Sequence, residues 1–147
     1  MKKFKLKIVT PERIIFEDEV VEVLLPTPKG QIGVLANHQP LITQLVAGEI
    51  IIKKSNQEEA PLVCSGGFVE VQPKQILVLA DTAEKIEEID IKRAEEEAKK
   101  RAEQLKEKKA DQVEFAKIQA SLEKQLARLR VTKKHHSRRQ INLGKEE

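Results

Sequence analysis

The sequence predicts two kinds of structure in one chain, an all-β N-terminal sandwich followed by an α-helical hairpin. Three observations carry this. All six prolines and five of the six glycines precede Asp81, and neither residue occurs from Lys74 to Leu143. Pro and Gly punctuate short strands and tight turns, and both are costly inside helices. Charge divides the chain at the same place. Positive and negative residues nearly balance over 1–82, whereas roughly half the positions beyond Thr82 are charged and supply the excess behind the net +3. Finally, apolar residues alternate with period two in the first half and recur at three and four in the second.

The strands follow in order. Phe4, Leu6 and Ile8 alternate with lysines, the pattern of a strand with one wet face. Val21, Val23 and Leu25 come next, ending at Pro26 and Pro28. Leu41 to Val46 and Glu49 to Lys53 form two runs parted by Ala47-Gly48, and Leu62–Cys64, Phe68–Val71 and Ile76–Ala80 complete the set. Turn signals at this spacing suit a sandwich or barrel. The absence of a helical crossover argues against a parallel sheet.

The second half reads as two helices. Ile91, Ala94, Ala98, Ala102 and Leu105 form one stripe, and Phe115, Ile118, Leu122, Leu126 and Leu129 another. Asp90 is the expected cap of the first helix, and Asp111 with Glu114 the start of the second. A short connection implies antiparallel packing. Alanine dominates the first stripe, so the seam should be thin and only marginally stable by itself. A segment this charged has too little to bury for a core of its own.

Several function classes are excluded or weakened. The N-terminus alternates charge with apolar residues and lacks a run of signal-peptide length, and no stretch approaches the roughly 20 apolar residues of a membrane span. Cys64 is the single cysteine, which rules out an internal disulfide and makes a thiol zinc site implausible; its apolar flanks suit a core residue. No metal site is expected. The loops 29–40 and 65–68 hold paired glycines but match no phosphate-binding spacing, and no helix follows them. Those glycines read as positions of positive φ or close backbone approach. His38 reads as a hydrogen-bonded loop histidine. A hydrolase built on His38 and Glu70 lacks any nucleophile–base pattern. Lys133-Lys134-His135-His136 and Arg138-Arg139 form a basic tail, but with no Trp or Tyr there are no stacking platforms for nucleic acid. An acidic protein surface is the better partner.

The order of motifs resembles the ε subunit family of bacterial F-type ATP synthases. The resemblance rests on Val9-Thr10-Pro11, the G-x-x-G-V-L-x-x-H-x-P loop from Gly30 to Pro40, Ser65-Gly66-Gly67-Phe68-Val69-Glu70-Val71, Leu79-Ala80-Asp81-Thr82-Ala83 and Ile89-Asp90-Ile91-Lys92-Arg93-Ala94, spread over residues 4 to 131. It implies about ten strands in a sandwich over 1–84, a regulatory two-helix hairpin over 85–131, and a basic flexible tail over 132–147.

It further implies a non-catalytic rotor subunit on the cytoplasmic side of the cell membrane, held there through the complex. Its partners would be the γ subunit, the c ring and the α/β catalytic head. Lys29, Gly30 and Gln31 would meet the c ring, and His38 and Pro40 would face γ. Arg128, Arg130, Lys133 and Lys134 would meet the acidic head when the hairpin inhibits ATP hydrolysis. The I/L-D-x-x-R-A motif implies ATP as a regulatory ligand, with no cofactor required. Its site would comprise Glu84, Ile89, Asp90, Arg93, Ala94, Lys124 and Arg128. Lys124 keeps the charge of the family's arginine but not its bidentate fork. On the residues alone, Asp90 as a cap and Arg93 paired with Glu97 remain the plainer reading. A standalone nucleotide- or acidic-protein-binding module is the alternative.

Overall fold

Alternation in the first strand sets the sandwich. In β1 (Phe4–Val9), Phe4, Leu6 and Ile8 are buried, while Lys5 and Lys7 face outward onto Glu17 at 3.0 and 3.6 Å. The computed structural model describes residues 1–86, 89, 91–107 and 112–143, with side chains through Arg138. It divides into two units, Met1–Ile86 and Glu87–Glu147.

The first unit holds ten strands. After β1 come β2 (Ile14–Val20), β3 (Glu22–Thr27), β4 (Gly30–Leu35), β5 (Leu41–Leu45), β6 (Gly48–Lys53), β7 (Glu59–Cys64), β8 (Gly67–Val71), β9 (Gln75–Ala80) and β10 (Ala83–Lys85). They form two five-stranded sheets, β2-β1-β9-β8-β5 and β10-β7-β6-β3-β4. Leu6, Ile8, Val69, Val71, Ile76 and Val78 of the first sheet form one core with Val23, Leu25, Val34, Ile50, Ile52 and Leu62 of the second. Burying each such aliphatic side chain stabilises by about 1.5–3 kcal/mol, so this unit is firmly held. Cys64 belongs to the same core; its Sγ–H donates to the Val46 carbonyl, and burial pushes the thiol pKa up.

Two features differ from the sequence reading. Residues Gly30–Leu35 are a strand paired with β3 from Thr27↔Gly30 to Glu22↔Leu35, although the glycines suggested a loop. Gly30 takes the turn conformation at φ 112, while Gly33 lies flat under Leu24, where a Cβ would stand 3.2 Å from Cδ2. In addition, β1 and β9 pair in parallel, Lys5↔Gln75 through Val9↔Leu79. No helical crossover is needed, because the chain between them runs through both sheets.

Proline positions follow from the same topology. Pro61 in β7 lies just beyond the short β10, which pairs only with Leu62–Cys64, so the missing N–H falls where that ladder has ended.

The second unit is two helices, α1 (Ile91–Glu107) and α2 (Gln112–Leu143), packed on each other. Glu95 meets Lys133 and Glu97 meets Arg128, a descending order that makes the pair antiparallel. Ala94 and Ala98 are the buried residues of α1. Two corrections apply here. Leu126 is 51% exposed, and the inward stripe instead passes through Gln125 and Leu129, steps equally consistent with a helix. Residues 132–143, expected as a tail, continue α2. At 1.5 Å per residue α2 is about 48 Å long and outruns α1, about 25 Å. The expected caps Asp90 and Asp111 lie outside the described residues.

Candidate ligand site and docking faces

The arrangement best suited to a ligand lies between the helices. In the first turn of α1, Arg93 Nε approaches Glu97 Oε1 at 3.5 Å, an i,i+4 pair natural to a helix. From α2, Arg128 Nη1 approaches the other oxygen of the same carboxylate at 3.7 Å and donates to Gln125 Oε1 at 2.8 Å. One carboxylate thus gathers a guanidinium from each helix. Arg128 is 19% exposed at its side chain and Arg93 79%, so one cation is largely enclosed and the other faces solvent. Lys124 sits half-buried one turn before Arg128 on α2. Two arginines and a lysine can hold a di- or triphosphate through charge-assisted hydrogen bonds.

The other residues of the expected site belong to both units. Ala94 is buried in the helix pair, where a small side chain lets α1 and α2 approach. Ile89 is buried; Asp90 lies outside the described residues. Glu84 belongs to β10 of the first unit, opposite Val63. The pair Arg93–Glu97, the plainer alternative from the sequence, is present in the structure. Of the basic residues expected to meet an acidic surface, Arg130, Lys133 and Lys134 are exposed, with Lys133 on Glu95 at 2.7 Å.

The first unit offers two surfaces. Lys29, Gly30 and Gln31 form the exposed tip of the β3–β4 hairpin, braced where Thr27 Oγ1 donates to Gly30 O at 2.6 Å. His38 and Pro40 lie in the link from β4 to β5, which crosses from one sheet to the other. That link is fixed by Asn37 at φ 64, whose N–H donates to Pro73 O, and by His38 N–H on Leu35 O. His38 Nδ1 turns to Gln39 O at 2.7 Å, and Glu70 accepts from the Gln72 amide. The two are engaged separately, which leaves a His38–Glu70 hydrolytic pair unassembled.

A third surface escaped the sequence reading. On the outer face of the first sheet, the registers join Ile14, Val9, Leu79 and Phe68 in one row across four strands. Phe68 is 58% exposed and Leu79 52%, and Ile42 beside them is 74% exposed. Apolar side chains exposed in one row on a sheet's outer face are what a docking surface would offer. Its signal was available: Ile76–Ala80 is apolar at every position, which a strand with one wet face would not be. Among the described residues no cluster of His, Cys, Asp and Glu is arranged to hold a metal.

Comparison with known proteins assigns the two units. The sequence model for the ATP synthase, Delta/Epsilon chain, beta-sandwich domain matches residues 3–86, and that for the long alpha-helix domain of the same chain matches 87–133. The chain belongs to the ATP synthase delta/epsilon chain family. Its relatives include the ATP synthase epsilon chain of Dehalococcoides mccartyi, 46% identical over 141 residues, covering 96% of this chain and 100% of the relative. The ATP synthase epsilon chain of Chloroflexus aggregans is 48% identical over 134 residues, covering 91% and 95%.

Solved structures agree on the fold of the family. A chain of the Euglena gracilis mitochondrial ATP synthase superposes with TM-score 0.74 at 21% identity, over 85% of this chain and 78% of that one. A chain from the Tetrahymena thermophila mitochondrial ATP synthase central stalk and c-ring structure gives TM-score 0.54 at 10% identity, over 91% and 96%.

Proposed function

We propose that this chain is the ε subunit of an F-type ATP synthase, a non-catalytic part of the central stalk that couples proton flow to ATP synthesis. The observation that carries this reading is the unbroken match of both family domains, in order, over residues 3–133. Relatives named ATP synthase epsilon chain align with it nearly end to end. The sandwich binds the γ subunit and rests on the c ring. The row Ile14, Val9, Leu79 and Phe68, and separately the link at His38 and Pro40, support the first contact. The exposed polar tip Lys29-Gly30-Gln31 supports the second.

The hairpin restrains ATP hydrolysis by presenting Arg128, Arg130, Lys133 and Lys134 to the acidic catalytic head, and ATP bound at Arg93, Lys124 and Arg128 biases it. The seam supports such movement. Its described buried residues on α1 are two alanines, and its interhelix ion pairs are partly exposed, each worth under about 1 kcal/mol. Two packings separated by a few kcal/mol are readily biased by a ligand. The subunit sits on the cytoplasmic side of the cell membrane, attached through the complex. No described helix is long and apolar enough to cross a membrane.

Capture experiments test the assignment. The tagged chain should recover γ and the α/β head. Phe68→Glu should weaken γ capture about tenfold or more, as loss of an aromatic anchor does, without lowering the thermal stability of the sandwich. A folded chain that captures neither γ nor the head refutes the reading.

A further inference from the structure

Glu97 lies between guanidinium groups of both helices. Its two oxygens face Arg93 Nε on α1 and Arg128 Nη1 on α2, at 3.5 and 3.7 Å. Both distances exceed those of a tight charge-assisted bond. The side chain is about one-third exposed, so water and small anions reach it. Neighbouring Glu95 is committed differently, on Lys133 alone at 2.7 Å.

We propose that Glu97 is a built-in counter-anion of the hairpin: it occupies the two arginines in the free chain, and a nucleotide polyphosphate binds by displacing it. The proposal rests on the nucleotide reading above and adds what sets the affinity. With the carboxylate in place, one negative charge offsets the repulsion of two like-charged cations and joins the helices at that level. A polyphosphate offers more charge and more acceptor oxygens to the same guanidinium groups, and must overcome the pairs it breaks. Removing the carboxylate charge removes that competition, so Glu97 acts as a brake on binding rather than a contact to the ligand.

The test is calorimetric titration of the full-length chain with ATP, comparing wild type, Glu97→Gln, Glu95→Gln and Arg93→Ala, with helix content followed by circular dichroism. Glu97→Gln should bind about three- to tenfold tighter, the range expected from two partly exposed ion pairs. Glu95→Gln should bind as wild type does, and Arg93→Ala more weakly. If Glu97→Gln loses helix, Glu97→Asp, which keeps the charge but shortens the reach, should still bind more tightly than wild type. Unchanged or weaker binding by the folded Glu97 variant overturns the proposal while leaving the nucleotide reading intact. Equal tightening in Glu95→Gln also overturns it, since the effect would then be general charge. No heat in any chain removes both.

Discussion

Replacing Gly67 by alanine tests how the sandwich holds Phe68 on its outer face. Gly67 lies at φ +144, where an L side chain is strained, and opens β8 opposite Ala80 of β9. A Cβ there would stand 2.1 Å from the Leu79 carbonyl oxygen, 2.9 Å from Ala80 Cα and 3.0 Å from the Leu79 carbonyl carbon. All three are backbone atoms of β9, a strand held between β1 and β8, so no rotamer change relieves the overlap. The unfavourable backbone conformation costs about 1–3 kcal/mol. Restoring normal contact requires β9 to withdraw by about 1 Å, and losing one or two ladder hydrogen bonds adds about 1–3 kcal/mol.

The sum, about 4 kcal/mol at its centre, approaches the total stability of a small domain. Scanning calorimetry of the full-length chain should show the sandwich transition falling by roughly 15–30 °C. Gly30→Ala supplies the comparison. It has a similarly positive φ of +112, but a Cβ there meets nothing within 4 Å. It should show the backbone term alone, with about half the shift. Equal shifts in the two variants would refute the steric argument and leave backbone strain as the whole effect.

Two further outcomes follow from charge and from the hairpin. The Lys5 ammonium hydrogen-bonded to Glu17, with Lys7 beside it, holds the Glu17 carboxyl below its ordinary value of 4.5. Its contribution to stability is therefore complete above that value and is lost as pH falls through the lower folded value. Glu17→Gln should melt below wild type at neutral pH and converge with it in acid; a constant difference across that range refutes the pairing. Deleting residues 89–147 should raise ATP hydrolysis by the reconstituted synthase, and an unchanged rate counts against an inhibitory hairpin.

How much was legible in the sequence depended on the range of the interaction. The inward set Phe4, Leu6 and Ile8 follows from alternation alone, and Arg93–Glu97 from helical spacing. The arrival of Arg128 at Glu97 does not, because it depends on where α2 begins and how the helices register. Gly33 misled because a glycine under Leu24 in a flat strand looks, in sequence, like a turn glycine. Leu126 misled for another reason: steps of three and four leave two adjacent stripes available, and the helix buried Gln125 instead. The helix end at Leu143 was written in the sequence as the lack of any breaker before Gly144. The parallel pairing of β1 with β9 joins residues seventy positions apart (Lys5 with Gln75), beyond the reach of any local pattern.

The two units are stabilised by different physics, and this difference bears on regulation. The sandwich is held by aliphatic side chains such as Leu6, Ile8, Ile50 and Ile52, all fully buried, and burial of that kind is indifferent to anions. The helix pair buries Ala94 and Ala98 on α1 and Ala127, Leu129 and Val131 on α2, a smaller apolar set supplemented by Glu95–Lys133 and Glu97–Arg128. Partly exposed ion pairs weaken with salt and yield to competing charge. An anion at the millimolar concentrations of a cellular nucleotide can therefore act on the hairpin while leaving the sandwich unaltered. The proposed regulation requires that separation: the part proposed to transmit torque must not soften when the hairpin responds. Charge on a poor seam supplies the response, and a dry aliphatic core supplies the stiffness.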